Sequence, residues 1–132
     1  MKIFLPPDDA LPPGFRFPKA YLRMVDEGKL PDLHPWAFLG EKPDSIQGYI
    51  EAMGLMDRDH PMVPFARFED SASGDLACFD GSDKSGDPKI YFHVYGYSKP
   101  IPPWEKRYHL ENFSAWLQKA REESDEFNRG EE

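Results

Sequence analysis

A chain of 132 residues is long enough for one domain, which at this size buries roughly two-thirds of the surface its unfolded chain exposes. Its composition, 39% hydrophobic, 14% aromatic and 30% charged, is that of a globular chain, and no run reaches the ~20 apolar residues of a membrane-spanning helix. The formal net charge of −8 repels phosphate backbones and argues against nucleic acid as a direct partner.

Residues 1–16 form a proline-rich lead-in, "MKIFLPPDDALPPGFR". Its prolines and aspartates cut the apolar stretch too short for a secretory signal. The lone Cys78 has no intramolecular disulfide partner, so the cytoplasm is the expected compartment. A helix is expected over 17–27, where Phe17, Ala20, Tyr21, Met24 and Val25 recur at helical spacing on one face. Pro18 suits its first turn and Gly28 its left-handed stop. The next stretch, "KLPDLHPWAFLGEKPD", reads as a loop or short strand pinned to the core by Trp36 and Phe38. A second helix is expected from Asp44 or Ser45 to Met53, with Ile46, Tyr49, Ile50 and Met53 on one face and Gly54 closing it. Gly48 within it costs about 1 kcal/mol relative to Ala.

Strands follow. "MVPFARF" (62–68), "DLACFD" (75–80) and "KIYFHVYGY" (89–97) are short, aromatic and β-branched, and turn residues bound them. In the third, Ile90, Phe92 and Val94 point one way, and Tyr91, His93, Tyr95 and Tyr97 the other. The prolines of "SKPIPPW" end the ladder, and "KRYHL" is a candidate edge strand. The last helix begins near Asn112, with an apolar stripe of Phe113, Trp116, Leu117 and Ala120 that fades after Arg121. Fraying is expected from Ser124, leaving 122–132 as an acidic tail. Helices, then strands, then a helix define a single α+β domain over 17–121, an antiparallel sheet with helices packed around it.

Charge concentrates in two places. Residues 69–87 hold Glu69, Asp70, Asp75, Asp80, Asp83 and Asp87 against Lys84 alone, and residues 118–132 hold six acids against Lys119, Arg121 and Arg129, so these two segments together account for the whole net charge. The acidic loop after Asp80 tests three chemistries. A phosphate-binding loop needs Lys and Ser/Thr after its last glycine and then a helix; here Asp87 and Pro88 follow Gly86, and a strand comes next. A calcium loop needs acids or amides at alternate positions and a Glu at the twelfth, a spacing absent here. A hairpin tip needs only turn formers between alternating runs, and these are present.

No other residue set demands a cofactor or metal. His34, His60, His93 and His109 are scattered without ligand spacing. Cys78 shares a strand face with Leu76 in an acidic neighbourhood, which suits a core thiol rather than a nucleophile. Tyr91, Tyr95 and Tyr97 could stack bases, but that signature wants a glycine where Ile90 stands and a basic surround. They suit instead a sheet face covered by a helix or by Trp104, or exposed anchors for a protein.

Several stretches resemble one family. "FPKAYLRMVDEGKL" (17–30) is similar to the opening of the SUKH superfamily, the Smi/Knr-like domains, where a Pro followed by an aromatic begins a helix ending near a Gly. "VPFARFEDSASGDLACFDGSD" (63–83) resembles its central hairpin, with Gly74 and Asp75 at the turn and Phe79 and Asp80 closing the strand. "PKIYFHVY" resembles the next strand and "NFSAWL" (112–117) the closing helix, so the likeness spans residues 11–120. The opening departs from the family: "LPPDDALPP" stands where a longer helix carries a tryptophan.

The resemblance implies a SUKH-like α+β fold without catalysis or cofactor. In bacteria it implies an immunity protein that neutralises a cognate toxin, often a nuclease. Fungal relatives act as interaction modules in cell-wall regulation. On that expectation Asp80, Asp83 and Asp87 pair with the Lys and Arg of a basic toxin domain, while Tyr95, Tyr97 and Trp104 supply buried anchors. The alternatives are a regulatory scaffold for an endogenous protein, or a small hydrolase or metal-dependent enzyme, which would need a polar pocket of convergent ionisable groups.

Overall fold

A computed structural model describes residues 2–52, 54–55, 60–69, 75–93 and 106–130. Five strands lie side by side in chain order: β1 (Trp36–Phe38), β2 (Met62–Phe68), β3 (Leu76–Asp80), β4 (Ile90–His93) and β5 (His109–Leu110). Every neighbouring pair is antiparallel. With α1 (Lys19–Glu27), α2 (Ser45–Ala52) and α3 (Phe113–Gly130), they make a single α+β domain, the class the element order implied. "KRYHL" supplies the edge strand β5. The third strand is described as far as His93; the expected continuation through Tyr97 lies outside the described residues.

Register sorts the side chains. Phe79 stands opposite Val63 on β2 and Ile90 on β4, so these three share a face. Cys78, opposite Pro64 and Tyr91, points to the other. Proline cannot donate to a central ladder, and β2 accommodates Pro64 through a register shift between Pro64 and Ala66. The residue spanned by that shift is Phe65, whose ring stacks on Phe79 with centroids 4.2 Å apart.

Around that stack the core closes. Tyr21 of α1 meets Phe79 edge-on at 5.3 Å, and Trp116 of α3 meets Phe65 at 4.8 Å. Phe113 packs on both Tyr21 and Phe65. All five rings are at most 1% exposed. Burying each stabilises the fold by about 1.5–3 kcal/mol, with roughly 0.5–1.5 kcal/mol more for each well-oriented pair.

The helix ends follow from their residues. Pro18 occupies the N-cap of α1, one place before the first turn expected for it, and brings no side-chain cap. At the other end Gly28 takes φ 66°, and Lys29 N–H donates to Met24 O at 3.0 Å while Gly28 N–H donates to Val25 O at 3.2 Å. This 6→1 and 5→2 pairing needs a left-handed residue, which glycine adopts without strain. Asn112 caps α3 by accepting a hydrogen bond from Ala115 N–H at 3.0 Å. The same helix runs on to Gly130, past Ser124 where fraying was expected. Ser124 is buried and Phe127 packs edge-on against His34 at 4.9 Å, so the helix keeps a second seam beyond Arg121.

The proline-rich lead-in packs onto the domain. Ile3 is buried in the core cluster, and Leu5, Leu11 and Phe15 lie against it. Phe4 N–H donates to Gly40 O at 2.8 Å, tying the lead-in to the stretch that follows β1.

Candidate functional site

The acidic segment after β3 is a hairpin tip. Asp80 N–H donates to Lys89 O at 2.9 Å as the last rung of the ladder, and β4 begins at Ile90. Two carboxylates then hold the backbone of the tip. Asp80 Oδ1 accepts from Ser82 N–H at 2.9 Å and from Ser82 Oγ at 2.6 Å. Asp83 Oδ1 accepts from Ser85 N–H at 2.7 Å and from Ser85 Oγ at 2.6 Å. Such Asx turns explain why Asp and Ser recur two residues apart here. Asp87 N–H donates to Ser85 Oγ at 3.1 Å, which continues the chain of local bonds.

Three contacts fasten the tip to the rest of the domain. Gly81 N–H donates to Pro61 O at 2.7 Å. A Cβ at Gly81 would stand 2.6 Å from that oxygen and 2.8 Å from Pro12 Cγ, so only glycine fits. Asn112 Nδ2 donates to Asp87 Oδ2 at 3.4 Å, joining the tip to the start of α3. The stem of Lys84 lies over Gly14, where an added Cβ would be 3.0 Å from Lys84 Cδ.

Of the six residues expected to meet a partner, the structure gathers Asp80, Asp83 and Asp87 on this tip. Asp87 is exposed, Asp80 and Asp83 are half-buried, and the serines that these two bond are exposed. Tyr95, Tyr97 and Trp104 lie outside the described residues. Among the described residues no three His, Cys, Asp or Glu side chains gather as a ligand set.

The remaining candidates sit apart. Cys78 is fully buried, and burial pushes its thiol well above the ordinary range, which disfavours the reactive thiolate. Tyr91 is half-buried beside His109 at 5.5 Å, and burial followed by the nearby Asp80 charge raises its phenol. Burial lowers the imidazole of His93, against a smaller upward pull from Asp75. Tyr21 buries its hydroxyl without a hydrogen-bond partner among the described residues, and burial raises that phenol as well.

Beside the tip opens a cleft of 710 Å³ that sequence reasoning did not find. Leu11 and Phe15 of the lead-in, Leu22 of α1 and Phe113 of α3 line it, and Ser85, Gly86 and Asp87 form one lip. Asp8, Arg16 and Lys19 supply its other charges. These residues come from three separate stretches of chain, 5–22, 85–87 and 113–114. The only local signal for the cleft is Leu22, an apolar residue off the buried face of α1 and 39% exposed.

Compared with family models, curated proteins and solved structures, the chain finds no match. No helix among the described residues is long and apolar enough to cross a membrane.

Proposed function

We propose that this chain is a non-enzymatic, cytoplasmic protein-binding domain whose acidic hairpin tip docks a basic protein. Following the likeness of its motifs to SUKH domains, the partner is a toxin, such as a nuclease, and the chain acts as its immunity protein by masking the toxin's basic surface. The observation that carries this reading is the fixed display of Asp80, Asp83 and Asp87. Asp80 Oδ1 and Asp83 Oδ1 hold their own turns, which fixes these two carboxylates on the same tip as the exposed Asp87. Carboxylates held in this way steer a cationic surface into register and chiefly set the association rate and its salt dependence.

The test is affinity capture by the tagged chain from its source cells at low salt, beside the Asp83→Lys plus Asp87→Lys variant. The expected result is a basic protein held by the wild type and lost by the variant. Purified and recombined, that protein has its toxicity suppressed by the wild type alone. Equal association of wild type and variant overturns the docking assignment. An endogenous, non-toxic partner replaces the immunity role with a regulatory one on the same surface.

A further inference from the structure

We propose that residues 2–13 form a detachable strap, hinged at Gly14 and held to the domain by two knobs seated on glycines, and that its release loosens the acidic tip. Ile3 and Pro12 are the two buried residues of this stretch. Each sits where the body of the domain lacks a side chain. A Cβ at Gly40 would stand 2.7 Å from Ile3 Cγ2, and one at Gly81 would stand 2.8 Å from Pro12 Cγ. Between the knobs, residues 4–11 are exposed or half-buried and include the short helical turn Asp8–Ala10.

Little else ties the strap down. Among the described residues, one backbone hydrogen bond joins residues 2–16 to the rest of the domain, from Phe4 N–H to Gly40 O at 2.8 Å. The others close local turns, such as Ala10 N–H to Pro7 O at 2.9 Å and Phe15 N–H to Pro12 O at 3.1 Å. A segment held by burial at two points and by one such bond opens at a lower free energy than paired strands. Pro6, Pro7, Pro12 and Pro13 fix their own φ and offer no N–H to a ladder, so the stretch moves as a stiff unit. The hinge falls at Gly14, exposed and at φ 78°, because Phe15 beyond it packs on Phe17 and stays with the core.

Release reaches the tip through the second knob. Pro12 covers Gly81 at the start of the tip, and Gly14 lies beneath the stem of Lys84. Opening removes the first contact and frees the second, which leaves the tip with Gly81 N–H on Pro61 O and Asn112 on Asp87. Leu5 and Leu11 leave one wall of the cleft with the strap. The device belongs to the chain alone and does not rest on any partner.

The experiment is amide hydrogen exchange by NMR on the ¹⁵N-labelled full chain, beside Ile3→Ala and Pro12→Ala, with each rate referred to its unstructured value. The amide of Phe4 should open at least about tenfold more readily than those of β3. Ile3→Ala empties the first socket and should speed exchange at Phe4 at least about tenfold further, with β3 unchanged. It should also shift the amides of residues 81–84, at the far end of the strap. Pro12→Ala should in turn speed exchange at Phe4 from the other end. Phe4 exchanging no faster than β3 overturns the inference, as does a variant that speeds β3 as much as Phe4 or fails to fold, since the lead-in is then an integral part of the core. Variants that each disturb only their own end overturn it too, by leaving two separate contacts in place of a unit.

Discussion

Phe65 and Asp83 lie in the same sheet system but use their side chains in opposite ways. Phe65 is fully buried at the register shift of β2 and touches rings from both α1 and α3. The Asp83 carboxylate bonds Ser85, two residues away, and holds a turn at the surface. The core is cooperative, since each ring is packed by several others drawn from distant parts of the chain. The tip is local, a chain of short-range hydrogen bonds fastened at a few points. A change in the first propagates, whereas a change in the second is contained.

The largest expected effect comes from breaking the core. Phe65→Ala removes the stack on Phe79 and the contacts to Tyr21, Phe113 and Trp116, and should destabilise the fold by about 3–5 kcal/mol in urea unfolding. A loss below about 1 kcal/mol would mean that the stack does not organise the interior.

Alkaline pH probes the same interior chemically. Cys78 and Tyr21 have ordinary values of 9.0 and 10.0, and burial raises both in the folded chain. The unfolded chain therefore releases these protons first, and stability is complete below the ordinary values and falls as pH rises past them. Each group adds a slope of about 1.4 kcal/mol per pH unit. Urea midpoints should decline above about pH 9, and Cys78→Ala should delay the decline toward the tyrosine's range. A flat profile to about pH 11 would show that neither group keeps its proton on folding.

The smallest effect belongs to the tip. Asp83→Ala frees one turn and should cost at most about 1 kcal/mol, with backbone shifts confined to 81–89 in an amide spectrum. Shifts that reach β2 or α1 would show that the tip is coupled to the core after all.

The same contrast explains what the chain spelled out locally. Helical spacing places Tyr21 and Met24 on the inner side of α1, and alternation sets Ile90 inside β4. Both periods are properties of a few consecutive residues. The hairpin was legible for the same reason, since Asp, Ser and Gly around residues 80–87 encode a turn by themselves. The extent of α3 was not, because nothing near Phe127 announces that His34 will lie across from it. The cleft was also hidden, for Leu11, Leu22 and Gly86 become neighbours only through the packing of separate segments. Glycine at position 81 reads as a turn former, yet its decisive neighbours are Pro61 and Pro12, about which the local sequence is silent.

That last contact also bears on how such a surface could change its allegiance. With Gly81 wedged beneath two prolines, the path of the loop is settled from below, while Lys84, Asp87 and Lys89 remain exposed above it. Substitutions there rewrite the face shown to a visitor; those at Lys84 and Asp87 give up the contacts to Gly14 and Asn112, yet the Gly81 anchor stays. Divergence in specificity can therefore proceed one residue at a time, without a refolded intermediate.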